Sequence, residues 1–244
     1  MKACAATTSG DSVAVDLGTA IRQGVRRGIA RLRYRPGYRS ALAATALNAV
    51  AAGLPVIPGA WWSAAEQRFV CDLSGCRRTG PHPAVRNDST IGLPGLGEAL
   101  ASRAIRQADA VPARWHRQPY AVLVPTGDSC DVVDVPAGLG RALAERLEAR
   151  SSLGPVIAAG SRWFFLTASG GSLAALGGDV LVHGPGSWIM LPPSLGPGGR
   201  PAAWLAPPAG ADWALPERDA VILGLTSPVP LPRRPGRQAS PSPV

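Results

Sequence analysis

The stretch CDVVDVPAG, residues 130–138, contains a short apolar strand pattern that carries two aspartates and ends in a proline. Side chains two residues apart share a face of a strand, whereas Asp131 and Asp134, three apart, point to opposite faces. Unless a β-bulge shifts the facing, the two carboxylates cannot converge on one metal ion. Pro136 has no N–H to donate to a sheet, which predicts that the strand ends there. Whether this is the acidic strand of a metal-dependent enzyme depends on what surrounds it.

The segments on either side of this strand predict an α+β fold. Helical patterns occur at about 40–52, 97–109, 138–150 and 217–225. Strand patterns occur at about 54–59, 120–124, 130–135, 161–168 and 179–194. The link PTGDS, 125–129, is rich in turn residues and predicts a hairpin between the strands that it joins. This order of elements predicts helices packed on a mainly antiparallel sheet.

The net charge of +9 is concentrated at the two ends of the chain. Residues 1–40 carry Lys2 and seven arginines against two aspartates, and residues 229–244 add three further arginines. The segment between them is neutral. We therefore divide the chain into a basic extension, 1–39, a globular domain, 40–228, and a Pro/Arg-rich tail, 229–244, that is expected to be disordered.

Apolar residues at helical spacing predict an arginine-rich helix within the basic extension, at about 19–34. Basic ends on a neutral body suit a polyanion, either nucleic acid or an anionic membrane surface, and the alternative is a pair of solvated tails. The candidate nucleic-acid-binding residues of this helix are Arg22, Arg26 and Arg27.

The composition predicts a globular protein of the cytoplasm. Hydrophobic residues make up 46% and charged residues 17% of the chain. Four cysteines in a chain of this length do not form a disulfide framework, and the N-terminus lacks the apolar region of a signal peptide. The longest apolar run, from residue 41, breaks at Gly53 and Pro55, which leaves fewer helical residues than the ~20 that span a bilayer.

Several segments, taken together and in order, are similar to those of a known family. They are GLPVIPG (53–59), the C…GC…GPHP segment (71–83), PYAVLVPTG (119–127), GPVI (154–157), SRWFFL (161–166) and GSWIMLPPS (186–194). Over about residues 40–225 the chain resembles the bifunctional DNA primase/polymerase family, the prim-pol branch of the archaeo-eukaryotic primase superfamily. The resemblance implies an RRM-like catalytic fold and template-directed nucleotide polymerisation with Mg²⁺ or Mn²⁺.

The chain departs from the three catalytic elements of active members of that family. These members carry Asp-x-Asp on a strand for the metals, Ser-x-His for the nucleotide's phosphates, and a third carboxylate ahead of a Pro-Pro-Ser strand. By resemblance the first aspartate corresponds to Asp134, and Pro136 stands in place of the second. Trp163 stands in place of the histidine. The third acid corresponds to about Leu181, with the carboxylate of Asp179 two residues away and His183 where a basic residue often stands.

The expected function is therefore that of a primase/polymerase-like protein that has lost catalysis. It is expected to bind nucleic acid or a nucleotide, in a replication or mobile-element context, with Asp134 as a vestigial catalytic residue. One alternative is an active metal-dependent primase/polymerase. Another is a protein- or membrane-interaction module that uses the arginine-rich helix.

A second candidate site lies in the segment Cys71-x4-Cys76-x5-His82. Thiolate and imidazole ligands suit Zn²⁺, and the resemblance implies a small zinc-binding knuckle here. A structural zinc site needs four ligands, so a fourth has to come from elsewhere, and the alternative is a metal-free loop with free thiols. The candidates for the fourth ligand are Asp72, His116 and Cys130.

Arginines and tryptophans near these sites suggest contacts with a strand of nucleic acid. Arg77 and Arg78 lie beside the cysteines, and Arg162 lies on the strand with Trp163. Aromatic side chains with arginine nearby bind single-stranded nucleic acid. Trp163 and Trp188 are therefore candidates for stacking on bases, with core packing as the alternative.

Overall fold

The computed structural model describes residues 37–84, 93–170, 176–208 and 213–226. The predicted arginine-rich helix with Arg22, Arg26 and Arg27, and the Pro/Arg-rich tail, lie outside these ranges.

Five α-helices and twelve strands occupy the described ranges. The helices are α1 (Tyr38–Ala51), α2 (Leu93–Arg103), α3 (Ala110–Trp115), α4 (Ala137–Glu148) and α5 (Arg218–Thr226). The strands before α4 are β1 (Ile57–Gly59), β2 (Trp61–Ser63), β3 (Arg68–Val70), β4 (Ala121–Pro125) and β5 (Asp131–Pro136). Those after it are β6 (Val156–Ala159), β7 (Arg162–Thr167), β8 (Leu181–His183), β9 (Trp188–Met190), β10 (Leu195–Gly196), β11 (Arg200–Pro201) and β12 (Ala203–Ala206).

Two larger sheets organise these strands. One has five strands in the order β12-β6-β7-β5-β8, and the other has three in the order β1-β4-β9. Two small hairpins, β2-β3 and β10-β11, complete the described strands, and every described pairing is antiparallel. The predicted α+β class, with helices on mainly antiparallel sheets, is confirmed.

The strand β5 separates two hydrophobic cores. Val132 belongs to the larger core, with α1, β4 and β9, whereas Val133 and Val135 belong to the smaller core, with α4 and α5. Because side chains alternate along a strand, Asp134 shares the face of Val132 and Asp131 shares the face of Val133. The two aspartates lie on opposite faces, as their spacing predicts.

The strand β5 ends where the sequence indicates. Pro136 is its last residue and pairs with Arg162 at the edge of the ladder. Helix α4 begins at the next residue, Ala137, because the extended backbone of Pro136 can precede a helix but its missing N–H cannot continue the sheet.

The predicted hairpin between β4 and β5 is wrong. β4 lies between β1 and β9, whereas β5 lies between β7 and β8 in the other sheet. The link after β4 is held by the turn between β8 and β9: Thr126 N–H donates to Ser187 O (3.0 Å), and Thr126 Oγ1 donates to Gly184 O (2.6 Å). The strand segment predicted at 179–194 forms β8 in the five-stranded sheet and β9 in the three-stranded sheet.

Other element boundaries also differ from the sequence prediction. The helix predicted at 97–109 is α2, which ends at Arg103, because Ile105 forms a β-bridge with Val56 instead. The segment with Trp61 and Trp62, predicted to be irregular, forms the β2-β3 hairpin. No helix in the described ranges combines the length and the apolar character that crossing a membrane requires.

Candidate functional site

Asp134 is buried, with 5% of its surface exposed, and both of its carboxylate oxygens have protein partners. Arg162 Nε donates to Oδ1 (2.7 Å), and His183 Nε2 lies 3.1 Å from Oδ2. Arg162 Nη2 donates in addition to the carbonyls of Asp134 (3.2 Å) and Asp179 (2.8 Å). Both oxygens of the Asp134 carboxylate therefore have a hydrogen-bond partner, one in the guanidinium of Arg162 and the other in the imidazole of His183.

The imidazole of His183 is held at both nitrogens. A carboxylate only accepts hydrogen bonds, so Nε2 donates to Asp134, and Nδ1 lies 3.1 Å from Ser187 Oγ. These two contacts fix the orientation of the ring. The side chains of Arg162 and His183 are 27% and 29% exposed, so solvent reaches this group of side chains from one edge.

The sheet register places beside Asp134 two residues that the resemblance assigns to altered catalytic positions. Leu181, assigned to the third acid, pairs directly with Asp134 across β8 and β5, and it is 51% exposed. Pro136, assigned to the second aspartate, shares the face of Asp134 two residues along the same strand. Neither side chain offers an oxygen ligand.

The third altered position, Trp163, lies on the other face of the sheet. It pairs with Val135 and is buried in the smaller core, where its indole covers Gly140 of α4 so closely that a Cβ there would lie 2.8 Å from the ring. Trp163 is therefore a packing residue. The residues of β7 that face the same way as Asp134 are Arg162, Phe164 and Leu166.

Asp131 forms a second buried ion pair, on the helical side of the sheet. Arg218 Nη1 donates to Asp131 Oδ2 at 2.6 Å, and Gly170 N–H donates to the same oxygen at 3.1 Å. The side chains of Asp131 and Arg218 are 2% and 3% exposed. Because Arg218 is the first residue of α5, the pair fastens that helix to β5.

Cys71, Cys76 and His82 come together at the end of the β2-β3 hairpin. One ligand atom from each lies within 4.8 Å of the others, and His82 Nε2 is 3.3 Å from Cys76 Sγ. His82 Nδ1 lies 2.9 Å from the carbonyl oxygen of Gly80, which only accepts, so Nδ1 carries the proton and Nε2 presents its lone pair to the thiols. These three residues can hold a metal ion.

The electrostatics of this group suit a neutral imidazole. Burial lowers the pKa of His82, and the charge of Arg78 lowers it further, against the opposing effect of the Gly80 carbonyl. Burial is also the main cause that raises the pKa of the Cys71 thiol. In the described ranges no other group of three histidine, cysteine or acidic residues is arranged to hold a metal.

None of the three predicted fourth ligands joins the group. Asp72 accepts from Tyr120 Oη and Arg114, and Cys130 is fully buried in the larger core, where burial raises its pKa to about 12. His116 lies at the C-terminal end of α3 and is exposed.

Arg77 and Arg78 are exposed and follow Cys76 directly, at the rim of two cavities. Trp188, the second candidate for stacking, lines one of these cavities. The sequence motifs did not indicate the roles of His183 and Arg218, since each meets its aspartate only through long-range packing.

The comparison with known families finds the same family that the sequence motifs resemble. A family model described as "Bifunctional DNA primase/polymerase, N-terminal" matches residues 46–232. No curated protein and no solved structure matches the chain. Since the matched region is well over half of the chain and includes β5, the cysteine–histidine group and both larger sheets, the chain belongs to the bifunctional DNA primase/polymerase N-terminal family.

Proposed function

We propose that this prim-pol domain binds single-stranded nucleic acid or a nucleotide and does not polymerise nucleotides. The observation that carries the proposal is the occupation of both Asp134 oxygens by Arg162 Nε and His183 Nε2. A catalytic carboxylate has to present a free oxygen to a metal ion. Here a fixed positive charge lies 2.7 Å from the first oxygen and opposes a second cation at the same place.

The residues around Asp134 do not suit the Mg²⁺ or Mn²⁺ pair of an active family member. Two-metal sites hold their ions about 3.5–4 Å apart and need several carboxylates. Pro136 and Leu181 supply none, and Asp131 is on the opposite face, paired with Arg218. Asp134 is therefore a vestigial catalytic residue that supports no polymerisation step.

Charge supports the binding part of the proposal. The chain has a net charge of +9, most of it in the basic extension that carries Arg22, Arg26 and Arg27. Arginine side chains release counterions when they bind the phosphates of nucleic acid, so the affinity falls as salt rises. Arg77 and Arg78 add an exposed basic pair on the folded domain.

We expect the purified chain to bind a single-stranded oligonucleotide and to make no product from one. Fluorescence anisotropy over a salt series is expected to give an affinity that decreases with salt. Primer synthesis and primer extension, with Mg²⁺ and separately with Mn²⁺, are expected to give no product above the level of Asp134→Ala. Replacing Arg22, Arg26 and Arg27 together by alanine is expected to reduce the salt dependence.

Two outcomes would contradict this proposal. Product formation that disappears in Asp134→Ala would make the chain an active primase/polymerase. An affinity that does not change with salt would remove the electrostatic argument, and recruitment of the chain to anionic vesicles through residues 19–34 would then favour a membrane-interaction module.

We further propose that Cys71, Cys76 and His82 are three of the four ligands of a structural Zn²⁺. Two sulfur ligands and one imidazole nitrogen are a soft donor set that suits this ion. The Nδ1–H bond of His82 to Gly80 O is the outer contact that usually orients a zinc-bound histidine. The ion would join the end of β3 to the segment before Pro83.

Elemental analysis is expected to find about one zinc per chain, because two thiolates and one imidazole form a soft donor set that suits this ion. Cys76→Ser is expected to lose it, whereas Cys130→Ala, which removes a thiol buried in the larger core, is expected to keep it. Alkylation at about pH 8, mapped by mass spectrometry, gives a second readout. Chelation is expected to expose Cys71 and Cys76 to alkylation, since zinc no longer holds their thiolates.

Cys130 serves as an internal reference in the alkylation experiment. With its pKa raised to about 12 by burial, it remains a protonated thiol at pH 8 and is expected to be unreactive with or without chelator. A chain that contains no zinc, and whose alkylation pattern does not respond to the chelator, would have a metal-free loop at residues 71–82.

A further inference from the structure

Two cavities lie on either side of the exposed segment 77–79. The first has a volume of about 430 Å³, and its lining includes Trp62 and Phe69. The second has a volume of about 470 Å³, and its lining includes Trp188 and Leu96. Arg77, Arg78 and Thr79 line both. Each volume lies in the range of small-ligand pockets.

Each cavity contains one indole whose position is fixed by a neighbour. The ring of Trp62 packs edge-to-face on Phe69, with centroids 5.3 Å apart. Trp188 Nε1 donates to Pro81 O at 3.3 Å, which ties the second indole to the segment that carries the arginines. Both indoles therefore have fixed positions next to the segment 77–79.

The segment between the cavities carries two cations that no described carboxylate neutralises. Arg68 pairs with Glu66, and Arg114 pairs with Asp72. Within the described ranges neither Arg77 nor Arg78 forms a salt bridge. Free guanidinium groups at the surface bind phosphate, for which their planar fork is well suited.

We propose that the two cavities receive two successive bases of a single-stranded nucleic acid, and that the phosphate between them binds Arg77 and Arg78. This inference rests on the proposed nucleic-acid binding and assigns it a place on the folded domain. All four bases can stack on an aromatic ring, so the site accepts many nucleotide sequences. The site has a tryptophan ring, a pair of arginines and a second tryptophan ring in that order. This order matches a base, a phosphate and a second base along a strand.

The repeated arrangement also favours a strand over a single nucleotide. A mononucleotide fills one cavity and leaves the other indole without a ligand. The cysteine–histidine group supports the same site, because Cys76 and His82 stand on either side of the segment with the arginines. Fixing both ends of this segment reduces the entropy lost when it binds a strand.

The test compares two double variants of the full chain. Arg77→Ala/Arg78→Ala is expected to weaken the binding of an oligothymidylate about tenfold at low salt. It is also expected to make the slope of log affinity against log salt shallower by about 0.7, the value for the one single-strand phosphate that the two arginines bind together. The matched control is Arg141→Ala/Arg150→Ala, which removes the same charge from exposed positions in and after α4 and is expected to change the slope little.

Three further measurements complete the test. Trp188→Leu is expected to weaken binding at every salt concentration without changing the slope, because stacking releases no counterions. Thymidine monophosphate is expected to bind far more weakly than the thymidine dinucleotide. An oligouridylate in place of the oligothymidylate shows whether RNA is accepted as well as DNA.

The failures of this inference and of the proposed function are distinguishable. If the wild-type chain binds the strand but the two double variants lose affinity and slope equally, the two-cavity site is wrong and nucleic-acid binding stands. If the monophosphate binds as tightly as the dinucleotide, the two-base arrangement is wrong. If the wild-type chain binds no strand at all, both proposals fall.

Discussion

Arg218→Ala is expected to lower the free energy of unfolding by about 3–5 kcal/mol, the range found when one partner of a buried ion pair is removed. Arg218 Nη1 lies 2.6 Å from Asp131 Oδ2, and both side chains are at most 3% exposed. Without the guanidinium, the charge of Asp131 stays inside the protein with only the Gly170 N–H as a partner in the described ranges. Urea unfolding followed by circular dichroism measures the loss.

The double variant Asp131→Ala/Arg218→Ala separates the cost of the unpaired charge from the value of the pair. It is expected to recover part of the stability lost by Arg218→Ala, because no charge is left uncompensated. Asp131 Oδ1 and Arg218 Nε and Nη2 have no hydrogen-bond partner among the described residues, so the pair itself adds little to stability.

Arg200→Ala is the matched control, since it removes an arginine from an exposed position and is expected to change stability by less than about 0.5 kcal/mol. If Arg218→Ala were no more destabilising than Arg200→Ala, the Asp131–Arg218 pair would not be what holds α5 on β5.

Features that depend on local geometry could be predicted from the sequence. The opposite facing of Asp131 and Asp134 follows from the two-residue period of a strand, and the end of β5 follows from the chemistry of Pro136. The proximity of Cys76 and His82 follows from a short loop, since few residues separate them. In each case the residues that decide the outcome are close together in the chain.

Features that depend on how the sheets pack could not be predicted in this way. The turn residues after β4 are compatible with a hairpin, and only the hydrogen bonds of Thr126 to the β8–β9 turn carry the chain to the other sheet. Arg218 meets Asp131 across 87 residues of sequence, and His183 meets Asp134 across 49. No periodicity or spacing encodes such pairs, because they form only when the elements have been packed.

The resemblance of motifs has the same limitation at one position. It assigns Trp163 to the histidine of active members, but Trp163 lies on the helical face of the sheet and Arg162 lies on the face of Asp134. A shift of one residue reverses the facing of a strand side chain, and alignment alone does not detect it.

Asp134→Ala is expected to lower the free energy of unfolding by about 2–3 kcal/mol, and the sign of this change separates a structural from a catalytic carboxylate. This loss is smaller than that for a fully buried pair because the side chains of Arg162 and His183 are 27% and 29% exposed. When Asp134 is removed, water can therefore solvate part of the guanidinium and the imidazole. The control is Asp128→Ala, which breaks an exposed pair with Arg106 and is expected to cost no more than about 1 kcal/mol. Thermal or urea unfolding measures both.

A carboxylate kept for metal chemistry behaves in the opposite way. Without its ion it lacks stabilising partners, so its removal leaves the stability unchanged or raises it. An ion that binds the folded state alone also raises the melting temperature. The engaged oxygens of Asp134 predict that Mg²⁺ and Mn²⁺ leave the melting temperature of the wild-type chain unchanged. A stabilisation by either ion that is absent in Asp134→Ala, or a gain of stability in that variant, would show that Arg162 and His183 yield to a metal, and the proposed loss of catalysis would then be wrong.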